Sequence, residues 1–260
     1  YPIFLDVLTS KKVSVGPPFY NIVIIPLVIP FLFLMTLGPQ FSWINSKKKN
    51  LNKTLYVLVG ALIINFFLLY FVGSYGFYSN LILISAIFLI LHTFLDAKKS
   101  IENKKKFEYS RIISHFGFGA LIFFIGINHQ HSVETDFNLK VGESKIVNNF
   151  QVLFEEINIK ENKNYKSVIG NFKITNSTKK NIHYLNPEIR IYTNPETLTY
   201  EAAIKSRINS DLYLTMSNVS RSDFYNIKFQ NKPFMIWIWL SAFIISLGGF
   251  IQLILKKNEH

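Results

Sequence analysis

The sequence predicts a polytopic α-helical membrane protein of about five spans, with an all-β domain inserted on the extracytoplasmic side. Three observations carry that fold class. Five apolar segments have the length of a bilayer crossing, short basic clusters flank them, and one polar stretch between the fourth and fifth alternates in the manner of strands.

Crossing ~30 Å of hydrocarbon takes roughly 20 apolar residues in a helix. The candidate segments are Phe19–Trp43, Leu55–Val72, Tyr78–Leu95, Ile112–Ile127 and Phe234–Leu255. Pro26 and Pro30 remove backbone donors from the first and predict a kink there, which neighbouring helices can accommodate. The fourth segment is short, so its helix is expected to begin nearer Tyr109.

The charge is +12 over 260 residues, a balance that could suggest nucleic acid. Its distribution excludes that reading. Lys47, Lys48, Lys49 and Lys53 follow the first span, and Lys98, Lys99, Lys104, Lys105, Lys106 and Arg111 outnumber Asp96, Glu102 and Glu108 between the third and fourth. Lys256 and Lys257 follow the last span, whereas the Gly73–Phe77 connection is uncharged. Basic loops stay in the cytoplasm, so the amino-terminal segment, the Gly73–Phe77 turn and the polar stretch are expected outside. Lipid, rather than nucleic acid, is the expected partner of these basic clusters.

The division expected is residues 1–18 as an extracytoplasmic segment, 19–128 as a four-span region, 129–232 as the β-rich domain, 233–255 as the fifth span and 256–260 as a cytoplasmic tail. Alternation at Phe150/Val152/Phe154, Phe172/Ile174, Ile189/Ile191 and Leu212/Leu214/Met216 predicts strands. Val141-Gly142, Asn176-Ser177, Asn186-Pro187 and Asn194-Pro195 supply turns, and together they predict a small sandwich or barrel. The chain has no Cys, which excludes disulfides, thiolate zinc sites and cysteine nucleophiles. It opens on Tyr1 without a leader pattern and reads as a piece of something longer.

Chemistry in such a chain rests on its histidines. His115 lies inside the fourth span, sharing a helix face with Gly119 and, further on, Gly126. An ionisable side chain at that depth faces a bundle interior or a cavity. Two readings stand side by side: an axial ligand of a b-type haem with Gly119 leaving room beside the ring, or a hydrogen-bonded histidine among glycines that serve helix packing. His92, near the cytoplasmic end of the third span, is a second ligand candidate. Its simpler reading is an interfacial residue beside Asp96 and Lys98. His129 and His131 could share one side of a strand, but no carboxylate or Cys stands at ligand spacing, and solvated loop positions are expected. His183 and His260 carry no context. Glu201 reads as a helix cap or surface charge, and Lys228 and Lys232 flank the last span where headgroups or an anionic ligand would meet them. Phe234, Trp237 and Trp239 suit a membrane interface. No metal site other than a haem iron is suggested.

Several stretches, in order along nearly the whole chain, resemble the C-terminal part of the CcmF-type cytochrome c maturation (haem lyase) family. They are IFLDVLTSKKVSVGPPF (Ile3–Phe19) followed by Leu37-Gly38-Pro39, SHFGFGALIFFIGI (Ser114–Ile127), YEAAI (Tyr200–Ile204), SDLYLTM (Ser210–Met216), and KPFMIWIWL through LGGF (Lys232–Phe250). The resemblance implies a haem-handling protein of the bacterial (or mitochondrial) inner membrane, with its β domain on the periplasmic or intermembrane side. It implies haem b as cofactor with His115 as one axial ligand, the other coming from an upstream span, which demotes His92. It implies partners: a periplasmic haem chaperone, apocytochrome c with its holding protein, and a missing N-terminal half or companion subunit. The family's haem-presenting loop is not in this sequence, so catalytic residues are unassigned, and the chain alone is not expected to complete haem attachment. Where the family has an Arg-bearing run before the last span, this chain reads FYNIKFQNKP. Two other functions stand beside it: a non-catalytic scaffold whose outer domain binds assembly partners, and a transporter fragment, suggested by the prolines of the first span and by Asn65 inside the second.

Overall fold

A computed structural model describes residues 17–40, 51–73, 76–103, 108–177, 181–218 and 223–257. Most of the expected segment 1–18, lysines 47–49 and 104–106, Trp43 and His260 lie outside the described residues. The chain divides into two compact units. One holds residues 17–126 and 238–257 of those described, and the other is Ile127–Trp237.

The first unit is helical. Its helices are α1 (Pro17–Leu37, followed by a 3-10 turn at Gly38–Gln40), α2 (Leu51–Val72), α3 (Phe77–Glu102), α4 (Glu108–His131) and α5 (Met235–Lys257). Among the described residues α2 through α5 are each long and apolar enough to cross a membrane, and α1 carries a shorter apolar stretch, Val23–Leu37. The chain is a multi-pass membrane protein. Helix α4 begins at Glu108, as the short fourth segment predicts, and Pro26 and Pro30 both fall inside α1.

Helix α3 is the centre of this unit. Its middle, Leu81–Leu91, is almost wholly apolar, and a helix stretch of that kind is buried by its neighbours. Its Leu83, Ala86, Phe88 and Leu89 are almost fully enclosed, with α1 and α2 both packed on it. Phe88 meets Phe33 of α1 at 5.4 Å between ring centres and joins Ala61 of α2 in one cluster. Large apolar side chains of α2 and α5, such as Phe66, Tyr70, Trp239 and Phe250, are exposed, as a bilayer-facing surface requires.

The second unit is an all-β sandwich, with ten strands among the described residues. They are β1 (Val133–Leu139), β2 (Ser144–Val147), β3 (Phe150–Glu161), β4 (Tyr165–Asn176), β5 (Ile182–Leu185), β6 (Glu188–Thr193), β7 (Glu196–Glu201), β8 (Ala203–Lys205), β9 (Ser210–Asn218) and β10 (Tyr225–Pro233). One sheet runs β1-β10-β9-β8. The other runs β2-β3-β4-β6-β7, with β5 also paired to β4. Every pairing is antiparallel.

Period-two alternation sends one side of each strand inward. Val152, Phe154, Phe172, Ile174, Leu212, Leu214, Met216, Ile227 and Phe229 meet there as one core. Phe154 and Phe172 stack with ring centres 4.2 Å apart and an interplanar angle of 14°. The β3–β4 register slips between Phe154 and Glu156, a bulge that turns the outer half of β3. Gly170 is required inside this core, because a Cβ there would lie 2.7 Å from Met216 Sδ. Ile191, expected inward with Ile189, is 37% exposed, because β6 outruns the facing sheet.

The first and last strands are neighbours: Val133 pairs with Asn231. The chain therefore enters and leaves the sandwich at one end. Phe172→Ala removes a ring from the stacked pair and costs about 3–5 kcal/mol. Lys173→Ala, one residue on and facing out, stays within about 0.5 kcal/mol of wild type. Loss of strand circular dichroism on heating the detergent-solubilised chain separates the two.

Candidate functional site

Helix α4 carries most of the candidate chemistry. It opens on Glu108, an acid at the positive end of the helix dipole. One turn on, Arg111 Nη2 lies 3.8 Å from Glu108 Oε2 and 3.8 Å from Asp96 Oδ2 of α3. Asp96 is also 3.9 Å from His92 Nδ1, one turn earlier on its own helix. These charges link the end of α3 to the start of α4, and both His92 and His115 lie within electrostatic reach of Asp96 and Arg111.

The two histidines differ in their surroundings. His92 is buried, faces Asp96, and meets the Phe88 ring edge-on at 6.2 Å. His115 is half-buried one turn beyond Arg111, and among the described residues it makes no hydrogen bond or ion pair. The hydrogen-bonded reading of His115 therefore lacks its partner here.

Small residues set how closely the helices approach α4. A Cβ on Gly119 would come 2.8 Å from Ile90 Cγ1 of α3, and one on Gly126 would come 3.1 Å from Leu83. A Cβ on Gly117 would meet Ile245 of α5 at 2.9 Å. Residues two apart on a helix face nearly opposite ways, so Gly117 and Gly119 admit different neighbours. On the α5 seam, Ser110 Oγ donates to the Gly248 carbonyl at 2.8 Å. Such small-residue seams substitute for the missing hydrophobic force between helices in lipid. His115 shares the α3-facing side of α4 with Gly119.

Asn65 of α2 is buried and donates to Asn80 Oδ1 of α3 at 3.4 Å, a polar clamp between spans. That bond gives the Asn65 amide nitrogen a partner across the two spans, while its Oδ1 is buried without a donor among the described residues.

Other candidates take structural roles. His129 and His131 lie in the last turn of α4, not on a strand or loop, and point to different sides of the helix. No group of three or more His, Asp or Glu that could hold a metal occurs among the described residues. Glu201 ends strand β7 and pairs with Arg190 Nη1 at 3.7 Å, so it caps no helix. Lys228 pairs with Glu134 across β10 and β1, and its ammonium hydrogen bond holds the Glu134 carboxyl below the usual carboxylate range. Lys232 Nζ sits 5.4 Å from the centre of the Tyr213 ring. The sandwich thus occupies Lys228 itself.

Sequence reasoning missed one pairing. Arg207 Nη1 lies 3.2 Å from His183 Nε2. A guanidinium can only donate, so Nε2 accepts and the proton of the neutral ring sits on Nδ1. Burial, then the Arg207 and Lys205 charges, push the His183 pKa down. The two residues are far apart in sequence, and no local pattern announces the contact.

Residues 130–233 match the family model described as CcmF C-terminal beta-sandwich. The chain is 24% identical over 259 residues to "Cytochrome c-type biogenesis protein CcmF" of Pseudomonas aeruginosa, covering 96% of this chain and 39% of that protein. It is 27% identical over 266 residues to the Pseudomonas fluorescens protein of the same name, again covering 96% of this chain and 39% of the relative. The Escherichia coli CcmF is 24% identical over 257 residues, covering 97% of this chain and 40% of its own length. The chain is thus similar to the C-terminal portion of CcmF proteins, and its residues 130–233 match that family's C-terminal beta-sandwich. The solved structure "Cytochrome c Heme Lyase CcmF" superposes with a TM-score of 0.78 at 18% identity, over 96% of this chain and 42% of that one, and shares the fold of helices and inserted sandwich. The chain spans about two fifths of the length of the CcmF relatives it matches.

The α4–α5 seam predicts a sharp contrast between adjacent glycines. Gly248→Leu must displace Ser114 and the Ser110 carbonyl, at a cost of about 1–3 kcal/mol. Gly249→Leu meets nothing within 4 Å and is tolerated. Thermal midpoints in detergent, measured side by side, check this.

Proposed function

We propose that this chain serves cytochrome c maturation as a membrane module of a haem lyase complex, with His115 an axial ligand of a b-type haem. One observation carries the assignment. An imidazole sits within an apolar helix, half-buried, with no protein hydrogen bond or ion pair among the described residues. A polar ring at such a place needs a partner, and a neutral imidazole is a standard ligand for haem iron. His92, already set against Asp96, is the poorer donor. Gly119 acts by letting α3 close on the same side of α4. The second axial ligand comes from an upstream portion of the protein.

Bound there, a haem would supply a one-electron couple within the membrane. The chain's own part is to hold and orient it: Arg111 and Asp96 tie α4 to α3 one turn from His115, and the glycine seams fix the helix between its neighbours.

Lys53, Lys98, Lys99 and Arg111 favour a cytoplasmic position for the ends they flank, which puts the sandwich on the periplasmic or intermembrane side of an inner membrane. There it would face a periplasmic haem chaperone and the apocytochrome with its holding protein. The haem-presenting loop and the attachment step belong to the upstream half or companion subunit. The names of the relatives, cytochrome c-type biogenesis proteins, support this setting.

The test is a reduced-minus-oxidised absorption spectrum of the chain co-purified with the upstream portion of a CcmF. Wild type and His92→Ala are expected to give a b-type signal, and His115→Ala to lose most of it while still co-purifying. Full haem retention in His115→Ala would overturn the ligand assignment.

A further inference from the structure

A cavity of about 400 Å³ opens in the sandwich unit, within the range of small-ligand sites. Five asparagines line it, among them Asn149, Asn176 and Asn231, together with Arg207 and Ile208. The function proposed above uses none of them.

Two features of the lining are incomplete. Arg207 is half-buried, and its guanidinium donates to the Ser210 carbonyl at 3.0 Å, the Ser210 hydroxyl at 2.5 Å and His183 at 3.2 Å. All three partners are neutral. The nearby Asp211 carboxylate accepts instead from the Arg207 backbone N–H at 3.1 Å and the Ser206 hydroxyl at 3.2 Å. A guanidinium carries five donors, so two remain, with a charge that no carboxylate contacts among the described residues. The second feature is Asn231 Oδ1, which is buried and has no hydrogen-bond donor. The lining therefore offers a cation for an anion and an acceptor for a donor.

Position selects the ligand. The β8–β9 loop that carries Arg207 and Ile208 is fastened to the start of α5: Trp237 Nε1 donates to the Ile208 carbonyl at 3.0 Å, and Phe234 N to the Asn209 carbonyl at 3.0 Å. Asn128, near the end of α4, donates to the Pro233 carbonyl at 2.5 Å. The cavity thus lies at the end of the sandwich where the chain arrives from one apolar helix and leaves into another, and a span that leaves the bilayer does so among lipid headgroups. Ile208 and Ile182, beside the cavity, are 66% and 50% exposed. Exposed isoleucines beside a half-buried cation suit a surface that dips into the interface.

We propose that this cavity holds the headgroup of a glycerophospholipid from the adjoining leaflet, its phosphodiester on Arg207 and its terminal hydroxyl or ammonium donor on Asn231 Oδ1. The lipid would fix the sandwich against the membrane at the point where its strands join the spans.

The test uses the whole chain in detergent, titrated with dioleoyl phosphatidylglycerol or phosphatidylethanolamine. Native mass spectrometry reads lipid retained, and hydrogen exchange reads the amides of residues 207–210 and 231. Wild type is expected to retain lipid and to slow exchange at those amides. Arg207→Gln and Asn231→Leu should each weaken retention about tenfold, equivalent to ~1.4 kcal/mol. Arg190→Gln, on β6 and outside the cavity lining, should leave it unchanged. If Arg207→Gln loses its strand signal, Arg207→Lys replaces it, keeping the charge and losing the fork. Inorganic phosphate and glycerophosphoglycerol distinguish a lipid from a free anion. Equal protection by inorganic phosphate would overturn the lipid assignment, as would unchanged retention in both cavity variants.

Discussion

The pairing of β1 with β10 is the constraint on which the rest of this chain depends. A domain inserted between two membrane helices must return the chain close to where it received it. Here the return is built into a ladder: Val133 opposite Asn231 at one end, Leu139 opposite Tyr225 at the other. The strands that enter and leave are hydrogen-bonded neighbours at the edge of one sheet. The eight strands between them can then form two layers over a shared core without altering the spacing of the two helix ends. Asn128 reinforces the junction by donating to Pro233, and Trp237 fastens the first turn of α5 to the β8–β9 loop. Each of these bonds satisfies a backbone carbonyl at the junction of strand and helix.

The helical unit solves a different problem. Lipid removes the hydrophobic force between helices, so close approach must come from small side chains and a few polar bonds. Helix α4 shows both, with glycines towards α3 and α5 on opposite sides and Ser110 bonded to the Gly248 carbonyl. His115 is the exception in that seam. The Asn65–Asn80 clamp and the Asp96–Arg111 link give other intramembrane or boundary polar groups a partner, whereas the His115 imidazole has none among the described residues.

The sequence made the spans legible because a hydrocarbon slab imposes one length and one polarity. It made the inner strands legible for a related reason: Phe150, Val152 and Phe154, or Leu212, Leu214 and Met216, keep strict alternation and all are buried. It hid β1, whose Val133 and Phe137 alternate among charged and polar neighbours that satisfy one another on the outer face. Of the two expectations for Glu201, the surface charge holds and the helix cap does not, and the ladder to Glu188 on β6 places it on a strand. His129 and His131 followed the same logic in reverse, since α4 runs about one turn further than its apolar stretch.

What the sequence could not show at all is long-range and polar. Arg207 lies on the β8–β9 loop and His183 on β5 of the other sheet, and neither stands in a local pattern that points to the other. Their contact arises because β5 and β8 are brought edge to edge as the two sheets close on the core. Apolar alternation specifies which side of a strand is inward, and so it fixes the core. It says nothing about which loops converge beyond the core, where polar residues collect because backbone groups there still need partners. The asparagines and Arg207 at the helix-bearing end of the sandwich are such residues. Their neutral partners and the unpaired Asn231 oxygen set that end apart from the opposite one, where Arg190 is already held by Glu188 and Glu201.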